Sequence, residues 1–413
     1  MKTLKFNIFI FFFSFSLTQS QTVNTGIFNI SPQTVVSTVQ ELNNTASGDF
    51  INDGDLYVYS HYNNDGLVSF TSGSTTGITR MKGFNFQNLS GSIPMEWFDA
   101  EFNNINIQPA FHLSNQVNIF GQVAFLQGIV NDDNYGGLLV FEDNATHTNV
   151  SNVSHVDGYV EKKGNDAFVY PIGDNNLFRY AEISAPDNLN ASFTGKYYYE
   201  NSNIGYPHAN RAGVIAFINN TEYWTVEKTE GTSDVFLTLS WNETTTPTEI
   251  YAAPYEEIHI VRWDADQQLW VDEGGVANAS NKEVTTIVNP LTEYGVFTLA
   301  RVKTDKILNC AGRGIVIYNA VSPDYDGLND YFIIDGIQDC PDNEVEIYNR
   351  WGVKVFQTNS YDTNGNVFNG FSKGRVTIVP NEKLPSGTYF YILKFKYNEQ
   401  MTKTSGYLYL NQE

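Results

Sequence analysis

Cysteine, histidine and positive charge are all scarce in this chain. Of 413 residues two are cysteine, Cys310 and Cys340, and six are histidine. Lys and Arg number 24 against 46 Asp and Glu, a net charge of −22. Two cysteines with no histidine beside them leave a zinc site short of ligands. The negative balance repels nucleic acid and anionic membranes and leaves calcium, neutral glycans or plain solubility as its meaning. His61, His112, His147, His155, His208 and His259 fall at no metal-ligand spacing such as i, i+4. Gly73-Ser74-Thr75-Thr76-Gly77 misses the register of a nucleophile elbow. No Cys–His arrangement, phosphate-binding glycine loop or dinucleotide fingerprint occurs. Pairs such as Asp132–Asp133, Glu256–Glu257 and Asp264–Asp266 read as solvated turn residues, since 46 carboxylates produce many by chance. No catalytic residue is expected, and the chain reads as non-enzymatic.

Long apolar runs are missing too. The longest, from Phe6 to Leu17, is about a dozen residues, below the roughly 18 that a membrane helix needs. With Lys2 and Lys5 before it and Thr18-Gln19-Ser20 after it, residues 1–20 read as a signal peptide cleaved before Gln21. No segment keeps a 3.6-residue apolar period, whereas aromatics reach 15% and Gly, Asn, Thr and Tyr abound. That composition suits pleated surfaces, so the fold class expected is mainly β.

Residues 21–152 alternate short apolar stretches (Leu56-Tyr57-Val58-Tyr59, Val117-Asn118-Ile119-Phe120, Gly137-Leu138-Leu139-Val140-Phe141) with Asn-Asp-Gly turns. The pattern predicts stacked β-coils, as in a β-solenoid; an irregular antiparallel sandwich is the alternative. Residues 153–302 carry longer aromatic strands such as Val235 to Trp241 and Ile258 to Trp263, which predict an antiparallel β-sandwich. Tyr197-Tyr198-Tyr199 must send rings to both faces of one strand, and Trp263 and Trp270 face each other if Asp264 to Gln268 forms a hairpin. Rings such as Tyr198 or Trp270 are candidates for stacking on a polysaccharide, with core packing as the competing role.

Residues 304–413 differ again. Asn319-Ala320-Val321-Ser322-Pro323-Asp324-Tyr325-Asp326-Gly327-Leu328-Asn329-Asp330 is a strand end breaking into a carboxylate-rich turn. Val345 to Gly352 is a strand, with Val345 and Ile347 on one face and Glu344 and Glu346 on the other, closed by Tyr348-Asn349-Arg350-Trp351-Gly352. Pro385 and Gly387 set a turn, after which Tyr389, Tyr391, Leu393 and Phe395 alternate with Phe390, Ile392, Lys394 and Lys396. In this order the blocks resemble the gliding-motility-associated C-terminal domain, also called the type B sorting domain of the type IX secretion system of Bacteroidota. The resemblance implies a small β-sandwich, export, and display at the cell surface or release outside. It also implies contact with the type IX machinery and an outer-membrane β-barrel partner. The positions that carry it are Asn319, Pro323, Asp326, Gly327, Asn329, Asp330, Tyr348, Asn349, Arg350, Trp351, Gly352, Gly387, Thr388 and Tyr389. The chain departs from the family's usual Pro-Asn-Gly-Asp-Gly with Pro323-Asp324-Tyr325-Asp326-Gly327.

Two expectations concern bonds within this tail. Asp324, Asp326 and Asp330 share a loop that can fold back on one calcium ion, or can form an Asx-type turn. Cys310 and Cys340 are expected to form one disulfide after export, worth ~3–4 kcal/mol in the chain-entropy model, with two free thiols as the alternative. The functional expectation is an exported surface component or adhesin; the alternative is a displayed carbohydrate-binding module.

Overall fold

The computed structural model describes residues 21–302 without 213 and 287–289, and residues 308–412 without 311–312, 326–328, 350–351, 374–381 and 398–399. The expected signal peptide, residues 1–20, lies outside the described residues. The chain is mainly β, 51% strand and 4% helix.

It opens as a parallel β-solenoid of about six turns, the solenoid and not the antiparallel alternative. Each coil lays one strand on each of three sheets. The first coil contributes Thr22–Asn24, Ile27–Ile30 and Val35–Thr38, and the second stacks on it in parallel as Leu42–Asn44, Asp49–Asn52 and Asp55–Val58. Strands of two to six residues suffice because alternate side chains enter a common core, where Leu42, Phe50, Leu56, Leu89, Phe102 and Phe125 are buried. Polar residues inside the coil are spent on a ladder. Asn24 donates its amide to Asn44 (2.8 Å), and Asn44 donates to Asn64 (2.8 Å), each 20 residues on. The side-chain oxygens of Asn24 and Asn64 accept the backbone N–H two residues on, from Gly26 and Gly66. The ladder stops where Gly91 takes the next position, at φ +122°, because a β-carbon there would lie 1.9 Å from the Asn64 carbonyl oxygen.

Parallel pairing runs past residue 152, through Val156–Asp157 to Ile172–Asp174 on the first sheet. On the second sheet the mode changes. Val160–Lys163 pairs antiparallel with Ser192–Tyr198, and the sheet continues through Tyr223–Glu230, Gly295–Val302, Ile258–Asp264 and Leu269–Gly274. A five-stranded antiparallel sheet, ordered Phe168–Val169, Ala181–Ile183, Leu237–Ser240, Glu283–Thr285, Val276–Asn278, accompanies it. One continuous core runs from Ile30 to Leu299 and spans both regions. Antiparallel strands therefore cover the last parallel strand on the first two sheets, Leu177–Phe178 on the first and Ser192–Tyr198 on the second, where an edge would otherwise be unpaired.

The tail has a core of its own, built on Phe332, Ile347, Phe356, Tyr361, Tyr391 and Leu408 among others. Its five-stranded sheet is ordered Ala320–Val321, Gln400–Leu410, Gly387–Tyr397, Asn343–Tyr348, Lys354–Asn359. Tyr389, Tyr391, Leu393 and Phe395 point inward, as the alternation predicts. On the other face Glu346, 5% exposed, is held between Lys354 and Lys394. These cations keep its carboxyl below the usual range against the opposing cost of burial.

Candidate functional site

The three sequence blocks of the tail are separated by tens of residues, and the sheet brings them to one end. Ala320, next to Asn319, stands beside Tyr409, which stands beside Thr388. Val321, Leu410 and Gly387 form the adjoining row. One strand further, Phe390 pairs with Tyr348. The long strand Gln400–Leu410 is the bridge: it runs parallel to the first block and antiparallel to the third. No reading of the blocks in sequence places it between them.

Most of the described motif residues have a local task. The Asn319 carbonyl accepts the Tyr409 N–H (2.7 Å), fastening the short strand to the long one. Pro323 follows Ser322, whose N–H donates to the Asn329 carbonyl (2.7 Å) and closes the loop. The Asp330 carboxylate accepts the Tyr325 N–H (2.7 Å), and Asp324 accepts the Ser322 hydroxyl (3.3 Å). Tyr325 and Asn329 both take positive φ, 65° and 57°, which fits a tight turn. Of the two described carboxylates, Asp330 thus holds the loop's backbone and Asp324 a side-chain hydroxyl. Among the described residues no group of three or more His, Cys, Asp or Glu is gathered tightly enough to hold a metal ion. Asp326 and Gly327, the centre of the expected calcium loop, lie outside the described residues.

The second block turns at Asn349, whose backbone N–H donates to the Val353 carbonyl (2.9 Å) and whose side chain accepts the Val353 N–H (3.0 Å). Gly352 follows at φ +74° and packs so closely on the Phe236 ring that a β-carbon would lie 2.7 Å from it. Arg350 and Trp351 lie outside the described residues. Tyr348 packs on Ile392 beneath the Lys354 cation, and burial with the nearby Glu346 charge pushes its phenol above the ordinary range. In the third block Gly387 sits at φ +154° and Tyr389 donates its hydroxyl to the Pro385 carbonyl (2.8 Å), bracing the turn. Cys340 is disulfide-bonded, and Cys310 is the chain's only other cysteine.

A cleft of about 730 Å³ lies where this end of the tail meets the five-stranded sheet. Tyr348, Gly352 and Phe390 line one side, and Glu182, Phe236 and Glu283 the other. Glu283 accepts the Tyr180 hydroxyl (2.7 Å), while burial and the Glu283 charge raise the Glu182 carboxyl. The cleft was not legible in the sequence, because its walls come from segments far apart along the chain.

The rings considered for sugar stacking fare differently. Trp270 is fully buried, donates its indole N–H to the Tyr206 carbonyl (3.1 Å), and meets Trp263 edge to face at 5.7 Å. This corrects its candidacy: a ring with no exposed face cannot stack on a sugar. Tyr198 has Tyr223 stacked at 4.5 Å and the Lys196 cation over its ring at 4.2 Å, so its faces are taken as well.

No curated protein and no solved structure matches the chain. Residues 315–410 do match the family model described as the CHU_C type IX secretion signal domain, and all three blocks fall inside that span. The C-terminal part of the chain is a CHU_C type IX secretion signal domain.

Proposed function

We propose that residues 21–302 form a non-enzymatic, surface-displayed body that serves as an adhesin or structural surface component. The type IX signal domain itself marks the protein for export to the cell surface or the extracellular space, and for interaction with the secretion machinery. The observation that carries the reading of the body is the single core from Ile30 to Leu299. Such a core makes solenoid and antiparallel extension one rigid unit, suited to holding a surface away from a membrane. We read the two antiparallel sheets, and the tail, as β-sandwiches, and an outer-membrane β-barrel as the tail's partner. The test compares the full chain with a version ending at Val302 in a host with a type IX system. The full chain is expected on the surface or in the medium and to restore attachment of cells to a substratum. The shortened chain is expected to stay in the periplasm. Equal export of both, or turnover of a polysaccharide lost on changing one carboxylate, would overturn the proposal.

A second reading, binding of a neutral polysaccharide, draws support from one feature. His61, Phe86, His112 and Tyr135 stack in succession outside the solenoid at 5.4, 5.0 and 4.2 Å. Tyr135 is 40% exposed at the end of the row. Tyr135→Ala should then abolish retention on an insoluble neutral glycan while leaving export intact; unchanged retention removes this reading.

A further inference from the structure

Among the described residues the first coil ends the solenoid as an open edge. Thr22–Asn24, Ile27–Ile30 and Val35–Thr38 each pair with the second coil and, among the described residues, with no strand on the other side. In a β-ladder alternate residues direct their backbone groups to opposite sides. The carbonyls of Gly26, Ile30, Thr34 and Thr38 accept N–H groups from the second coil. Those of Ile27, Asn29, Val35 and Ser37 therefore face outward. The asparagine ladder is open at the same end among the described residues, where the Asn24 side-chain oxygen accepts the Gly26 N–H (3.3 Å) and no amide from a preceding coil.

Exposed edges are normally protected by charge, proline or a bulge. Here residues 21–40 include no Asp, Glu, Lys, Arg or His, and their one proline, Pro32, lies between strands. Ile27 is 80% exposed and Val35 65%. The absence of charge is local, in a chain of net charge −22. Two copies therefore repel over most of their surfaces and least at this end. The far edge of the second sheet is already occupied by Ser192–Tyr198, so a further copy cannot extend that sheet there.

We propose that this edge is a self-association surface on which a second copy docks head to head. A two-fold axis lying in the end face and crossing Ile27–Ile30 pairs that strand antiparallel with its own copy. The same rotation brings Thr22–Asn24 of one copy to Val35–Thr38 of the other, again antiparallel. The contact uses the same patch on both molecules and closes at two.

The test is sedimentation of the exported full chain over a wide concentration range, alongside Ile27→Lys and Val35→Lys. Wild type is expected at twice the chain mass when concentrated, and each variant at the mass of one chain with an unchanged circular dichroism spectrum. A wild type that stays at one chain mass overturns the proposal, as does a dimer that survives both substitutions. Should a variant fail to fold, amide exchange on the wild type decides. The N–H groups of Ile27, Asn29 and Val35 are expected to be protected when concentrated and to lose protection on dilution, and exchange independent of concentration overturns the edge as the interface.

Discussion

The body and the tail solve the same problem, a stable β structure, by different means. The body extends one core through solenoid and antiparallel strands, and satisfies its interior polar groups with an asparagine ladder. The tail, about two-fifths as long, has a small core, a disulfide and a two-sided clamp of lysines on Glu346. Small domains bury a smaller fraction of their surface and lean on such staples. Histidine divides the same way: all six precede residue 260, and the tail has none. The lesson is that each region should yield to its own perturbation.

The largest effect is expected from Phe125→Ala. This ring is fully buried and stacks on Phe102 at 5.7 Å, and its loss costs about 3–5 kcal/mol. Calorimetry should show the body's transition fall while the tail's holds; a common fall would mean that the two regions unfold together. Cys340→Ser tests the converse. It should remove about 3–4 kcal/mol from the tail, leaving the body's transition in place, and reductant should reproduce the shift. Next comes Asn44→Ala, which strips the ladder of its middle member and leaves Asn24 and Asn64 without it. A loss of about 1–3 kcal/mol is expected in the body by chemical denaturation, and Asn43→Ala, on the outer side of the same strand, should cost less.

The smallest effect concerns pH. Burial, with Asp174 and Asp133 nearby and only partial relief from the Asn131 amide and Lys196, raises the Asp157 carboxyl to about 6. A carboxyl raised on folding lends stability that is fully present below its unfolded value and is lost as pH rises through about 6. His155 works the other way: burial lowers it to about 4, so its contribution fades as pH falls. Comparison with Asp157→Asn isolates the first term. The stability of wild type relative to this variant should increase as pH falls from about 7.5 to about 5. A pH-independent difference would show that Asp157 titrates alike in the folded and unfolded chain.

Legibility in the sequence followed the locality of the signal. The alternation of Tyr389, Tyr391, Leu393 and Phe395 named the tail's inward face, because a strand's period is set by its own backbone. The facing of Trp263 and Trp270 was legible for the same reason, as a short hairpin fixes its own register. The solenoid was visible as a style and not as a period. Its first coils repeat at 20 residues, but Ser90 stands 27 after Asn63 and Asp157 stands 26 after Asn131. Loops of varying length at the corners erase the repeat while the parallel register survives. The surplus of rings in the middle third was legible, but not which rings were covered: Trp270 and Tyr198 look equally available until their neighbours are placed.

The sequence by itself determined the β class, the acidic surface, the inward faces of the longer strands and the motif blocks of the secretion signal domain. These depend on composition, short-range period and turn chemistry. Only the tertiary structure decided that Gln400–Leu410 stands between the first and third blocks, that solenoid and antiparallel strands share one core, and that the first coil's edge stays open among the described residues. Each of these depends on strand partners brought together by the whole chain, and the sequence of a strand carries no local record of its partner.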